Sequence, residues 1–211
     1  MHRQLYANNR PHMITNAYTS CLMYATKTRH TEDIVRPIIE NHAANLIIEN
    51  SGYNPPVSLA LARAQALLLY QSIREPQYVE RDLPILEKWI EYLTNLRDRT
   101  RGIMSMDVMT NPESWDSWIF WECVSRTILA ASYFVNVHCL IARGEHPLGE
   151  WKRPHMWTAS KRLWSAETSQ EFYERWQKKK PITVCNIFLN NLLKYSSGEE
   201  VDAFASMLMV P

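Results

Sequence analysis

The chain has 211 residues, 46% hydrophobic and 21% charged, enough to bury the core of one domain of ordinary to large size. Its 23 basic and 22 acidic side chains leave a net charge of +1, so there is no positive field to draw nucleic acid or an anionic membrane. Five glycines disfavour sandwiches and barrels, whose turns need residues tolerant of positive φ.

Residues 1–17 read as a polar entry segment: Met1 to Met13 lack the apolar stretch of a secretory signal. Thr31 is placed to cap a helix whose first turn holds Glu32 and Asp33, suiting the positive end of the helix dipole. Pro37 lies near that start, and Ile38, Ile39, Leu46 and Ile47 continue an apolar face until Gly52 and Pro55-Pro56. Ser58 opens an alanine- and leucine-rich segment that reads as a core helix. From Asp82 to Arg99, Leu83, Leu86, Trp89, Ile90 and Leu93 recur at helical spacing, with Pro84 expected in the first turn.

Residues 102–110 form a methionine-bearing connector, and Asn111-Pro112 supplies an N-cap with proline at the first helical position. The segment that follows runs without a breaker to Gly144, and such a helix would be roughly 45 to 50 Å long. Glu145 to Ala159, with Pro147 and Pro154, reads as a surface loop. Thr168-Ser-Gln-Glu171 is a capping box that opens a helix through Lys180, which Pro181 stops. Val184 to Tyr195 and Glu199 to Met209 read as two final helices, and no strand pair is expected. The expected fold is all-α, a single multi-helix domain of about seven or eight helices around a long central helix.

Motifs that would carry chemistry are scarce. The seven histidines include no pair at four-residue spacing, and no Glu-x-x-His occurs, so no metal and no cofactor is expected. Cys21, Cys123, Cys139 and Cys185 are widely spaced without a Cys-x-x-Cys pair, which points to a reduced, intracellular setting. Cys123, Cys139 and Cys185 fall in segments read as apolar helices, where small buried cysteines are common. The strictly apolar runs are too short to span a bilayer, so no membrane is expected. A phosphate-binding glycine loop, a nucleophile elbow and a kinase-like set are all missing, and no catalytic residue is assigned.

The most pointed local pattern lies on the long helix. Trp115, Ile119, Glu122 and Arg126 follow one stripe, and Glu122 precedes Arg126 by four residues, the favoured ion-pair order. Trp118, Glu122 and Arg126 are therefore the candidate site, either a structural polar pair between helices or the wall of a ligand pocket. Lys178-Lys179-Lys180 complements a helix dipole at its C-terminal end, or serves nuclear import or acid binding.

The run Leu61-Ala-Arg-Ala-Gln-Ala-Leu-Leu-Leu-Tyr-Gln71, followed by Trp115-x-x-Trp118-Ile-Phe-x-Glu122-x-x-Ser125-Arg126-Thr127, resembles the fungus-specific transcription factor domain. That domain is the regulatory region of fungal binuclear zinc-cluster transcription factors. Leu163-Trp164-Ser-Ala166 with Phe172 and Trp176 resembles the family's tryptophan-alanine motif, and Val201-Asp202-Ala-Phe204 resembles its aspartate-phenylalanine ending. The likeness runs from about Tyr18 to Val210, which places the helical regulatory domain at residues 18–211. Ser125-Arg126 departs from the two arginines common in the family, and the family's six-cysteine zinc cluster has no counterpart here.

The resemblance implies a nuclear transcriptional regulator, with the cytoplasm as the alternative location. It would work through protein partners such as a DNA-binding transcription factor, without sequence-specific DNA contacts of its own, and would govern a secondary-metabolite gene cluster. Two alternatives stay open. One is a stand-alone biosynthetic enzyme or ligand-binding protein that uses Trp118, Glu122 and Arg126; the other is a truncated gene model of a full zinc-cluster factor. Oligomeric state is not legible.

Overall fold

The structure, a computed structural model, describes residues 1–50, 52, 54–101, 114–144, 155–186 and 200–208. Among these are eight helices and one two-stranded sheet, so the chain is all-α in class. It divides into two compact units, residues 6–97 with 130–146, and residues 1–5 with 98–129 and 147–211.

The first unit is built on α1 (His12–Thr26), α2 (Glu32–Glu49), α3 (Val57–Gln71) and α4 (Pro76–Arg101). Helix α3 is its core, as its composition predicts: every residue from Ala60 to Leu67 is buried. Alanines at four of those positions let α1 and α2 approach closely, and both helices pack on it. Even Arg63 is buried, its guanidinium lying 4.9 Å from the Trp89 ring and 5.2 Å from the Tyr92 ring. Leu83, Leu86 and Leu93 of α4 complete the apolar interior.

Two helices of this unit differ from the sequence reading. Helix α1 begins within the segment expected to be polar, where few of its residues are buried: Met13, Ile14, Ala17 and Ser20. Its stability comes from packing, with the Ser20 hydroxyl 2.9 Å from His42 Nδ1 on α2. Helix α4 starts at Pro76, six residues before Asp82, so Pro84 sits inside it. Pro84 is exposed and lacks an N–H for the Glu80 carbonyl, a defect tolerated at a water-facing position. Thr31 occupies the N-cap position of α2 without capping it; its hydroxyl instead accepts the Thr28 N–H at 2.9 Å.

Helix α5 (Trp115–Arg143) has 29 residues and ends at Gly144, whose φ is +65°. Ser114 caps it, accepting the Ser117 N–H at 3.1 Å; the expected Asn111-Pro112 cap and the 102–110 connector lie outside the described residues. Strictly apolar runs in α5 are short, yet the helix is long and apolar enough to cross a membrane by length and composition. Half of its most apolar stretch is buried within the protein.

The second unit carries β1 (Met156–Thr158), α6 (Lys161–Trp164), α7 (Ser169–Lys178), β2 (Thr183–Cys185) and α8 (Ala203–Leu208). Strands β1 and β2 pair antiparallel, with Trp157 opposite Val184. This corrects three expectations: residues 155–159 are a buried segment rather than surface loop, Val184 and Cys185 are strand rather than helix, and a strand pair exists. Three-residue strands are too short for period-two alternation to register in sequence. Asn186 turns the chain after β2 at φ +52°, a conformation asparagine tolerates, and its side chain accepts the His155 N–H at 2.7 Å. The Thr168 cap forms, its Oγ1 accepting the Glu171 N–H at 3.2 Å, and the Glu171 carboxylate reaches one residue past the cap to accept the Glu167 N–H at 2.7 Å. Residues 187–199 and 209–211, which include most of the helix expected from Val184 to Tyr195, lie outside the description; the helix expected from Glu199 to Met209 is described over residues 200–208, where α8 begins at Ala203.

Candidate functional site

Arg126 is 6% exposed and sits on the buried stretch of α5, where Trp118, Ile119, Glu122, Cys123, Val124, Ile128 and Leu129 are also buried. One helical turn earlier, Glu122 accepts a hydrogen bond from Arg126 Nε at 2.9 Å, so the pair expected from the i, i+4 spacing is formed. A buried guanidinium needs acceptors for its remaining N–H groups, and two distant segments supply them. Arg126 Nη2 donates to the Thr158 carbonyl of β1 at 2.6 Å and to the Asp202 carboxylate just before α8. The Thr158 N–H in turn donates to Glu122 Oε1 at 2.9 Å.

Asp202 is held by its surroundings. Its N–H donates to the Ala159 carbonyl at 3.0 Å, and its other carboxylate oxygen accepts the Ala205 N–H at 2.9 Å, capping α8. The same side chain therefore starts a helix and pairs with Arg126 across 76 residues.

Aromatic rings enclose the charge. The guanidinium lies 3.7 Å from the centroid of the Trp164 ring, with Phe204 at 5.2 Å and Trp157 at 5.6 Å. Trp157 is fully buried and donates its indole N–H to the Asn186 carbonyl at 2.8 Å. Trp118 stands one layer away: its ring packs on Phe172 at 4.9 Å and edge-on to Trp164 at 6.3 Å. Phe172 continues the stack to Trp176 at 5.3 Å. Of the three candidate residues the structure joins Glu122 to Arg126 directly, while Trp118 reaches the pair through Trp164.

Electrostatics follow from burial. The Glu122 carboxyl is pushed above the usual range by its burial; Arg126 and the Thr158 N–H pull it back, and Asp202 adds a further push upward. One cation faces two carboxyl groups, so a proton on Glu122 relieves the excess negative charge. Glu122 Oε2 and Thr158 Oγ1 have no hydrogen-bond partner among the described residues. His2, from the chain's start, donates from Nε2 to the Trp164 carbonyl at 3.0 Å and stands edge-on to that indole at 4.8 Å. Burial, ahead of the nearby Arg126 charge, lowers its pKa to about 4. Burial also raises the Cys123 thiol to about 11, which disfavours the nucleophilic thiolate.

Cys185 stands on β2, and all four cysteines are free. Among the described residues no group of three or more His, Cys, Asp or Glu side chains is placed to hold a metal ion. Lys178 ends α7, where a cation complements the dipole, and Lys179 pairs with Glu200.

Sequence spacing pointed to Glu122 and Arg126 but gave no reason to add Thr158 or Trp157, whose roles depend on an unforeseen strand. Asp202 and Trp164 stood within the motifs that carry the family resemblance, and all three of the motifs in this unit meet around one guanidinium.

The chain is 24% identical, over 228 aligned positions, to transcription factor gsfR2 of Penicillium aethiopicum. The alignment covers 100% of this chain and 53% of that protein, so the chain spans about half the length of the curated relative it matches. No protein-family model matches the chain, and no solved structure matches it significantly. By this similarity along its whole length, the chain is related to a fungal transcription factor.

Proposed function

We propose that this chain is the regulatory region of a transcriptional regulator, acting in the nucleus through protein partners rather than as a catalyst. The observation that carries this reading is the alignment of the entire chain to a transcription factor. Two properties of the chain support it. Its net charge of +1 provides no general field for DNA, which suits a region that works through protein contacts. Most hydrogen-bonding groups around Arg126 are spent on one another inside the fold, which suits a platform for partners better than a reactive centre.

In this reading residues 18–211 form the fungus-specific transcription factor domain, and the genes it governs are a secondary-metabolite cluster. Trp118, Glu122 and Arg126 are structural: they lock the segments 122–126, 158–164 and 202–204 into one arrangement that a partner recognises. Tethering tests the regulatory activity directly. The full chain, fused to a heterologous DNA-binding domain upstream of a reporter in a fungal host, should change reporter transcript several-fold in either direction. Output equal to that of the DNA-binding domain alone contradicts the proposal.

A further inference from the structure

Ser165 is exposed in the connection between α6 and α7, inside the motif Leu163-Trp164-Ser-Ala166. Its Oγ accepts a hydrogen bond from Arg175 Nη1 at 3.0 Å. Arg162 and Arg175 brace each other, each guanidinium donating to the other's main-chain carbonyl. Arg162 spends its remaining hydrogen bonds on the carbonyls of Lys179 and Lys180, so among the described residues it binds no carboxylate. Arg175 binds one, Glu171. Burial holds the Arg162 guanidinium below its ordinary range; Glu200 raises it, and the Arg175 charge lowers it again. Two guanidinium groups with a single bound carboxylate between them leave a positive charge over, which an anion at Ser165 would meet.

Ser165 is also the one serine of the chain with an arginine three residues before it, and Lys161 precedes that arginine. Protein kinases select substrates by such charge patterns. Helix α6 is a single turn without a side-chain cap, an element that opens locally to admit a kinase. We propose that Ser165 is a phosphorylation site for a protein kinase that selects basic sequences. The kinase transfers the γ-phosphoryl group of ATP: the Oγ–P bond forms, the bond from phosphorus to ADP breaks, and the hydroxyl proton passes to the kinase's base. The product carries about two negative charges and three strong acceptor oxygens. Arg175, already donating to Oγ, is positioned to bind them, which ties α7 to the connection. The phosphate sits one residue from Trp164, whose ring lies 3.7 Å from the Arg126 guanidinium. Modification therefore acts on the segment that encloses Arg126, whether or not the chain regulates transcription.

The test incubates the full chain with ATP, Mg2+ and the catalytic subunit of cyclic-AMP-dependent protein kinase, which selects arginine three residues before serine. Tandem mass spectrometry should place a phosphoryl group on Ser165, and Ser165→Ala should cut total incorporation about tenfold. In the phosphorylated chain, 31P NMR should give a phosphate titration midpoint about one pH unit below that of the phosphopeptide of residues 160–170, because Arg175 favours the dianion. Arg175→Gln should return most of that shift. Should Arg175→Gln not fold by circular dichroism, the comparison with the peptide decides. Folded chain left unmodified, incorporation undiminished in Ser165→Ala, or a midpoint equal to the peptide's overturns the proposal.

Discussion

At the scale of single residues, the account turns on how a buried guanidinium is satisfied. Arg126→Leu leaves the Glu122 and Asp202 carboxyls buried without their cation, so a loss of about 3–5 kcal/mol is expected in urea unfolding. Arg126→Lys should recover only part of it, because an ammonium cannot serve Glu122, Thr158 and Asp202 together while stacking on Trp164. His2 gives a pH signature. Its folded pKa of about 4 lies below the ordinary 6.5, so between those values the unfolded chain binds the proton and the folded one does not. Stability present above pH 6.5 should therefore fall as pH drops toward 4, and an NMR titration should find the His2 ring still neutral at pH 5. The i, i+4 spacing made the Glu122–Arg126 pair legible in sequence, but its closure by Thr158 depends on a contact 32 residues away that no local pattern encodes.

At the scale of elements, local chemistry was readable wherever the signal was itself local. The N-cap at Thr168 formed as the sequence prescribes, with Glu171 reaching back to the Glu167 N–H, and Thr168→Ala should cost about 1 kcal/mol in thermal or chemical unfolding. Composition identified α3 as core because alanine and leucine fill nine of its fifteen positions. Pro84 misled, since proline usually marks a helix start and here lies within one. Pro84→Ala restores an N–H for the Glu80 carbonyl. A gain of about 2 kcal/mol is expected, the helix-interior cost of proline less the entropy it removes from the unfolded chain. Helix α1 and the β1–β2 pair were missed for a common reason. Both are weak in propensity or length and exist because tertiary contacts hold them, as with Trp157, which is buried on a three-residue strand.

At the scale of the whole molecule, similarity to a transcription factor along the full chain and the meeting of three motifs at Arg126 bear on different questions. The first concerns what the protein does, the second what keeps that region in one shape. Fold class was legible because helix periodicity and glycine scarcity are properties of the entire sequence. The relation to a fungal transcription factor was legible through motif order, which is a property of the whole chain. The most direct measurement of the central claim is RNA sequencing of a strain in which the chain's gene is deleted, against the same strain with the gene restored. The account predicts that transcripts of neighbouring genes change several-fold on deletion and return on restoration. Transcripts that stay unchanged through both steps would contradict it.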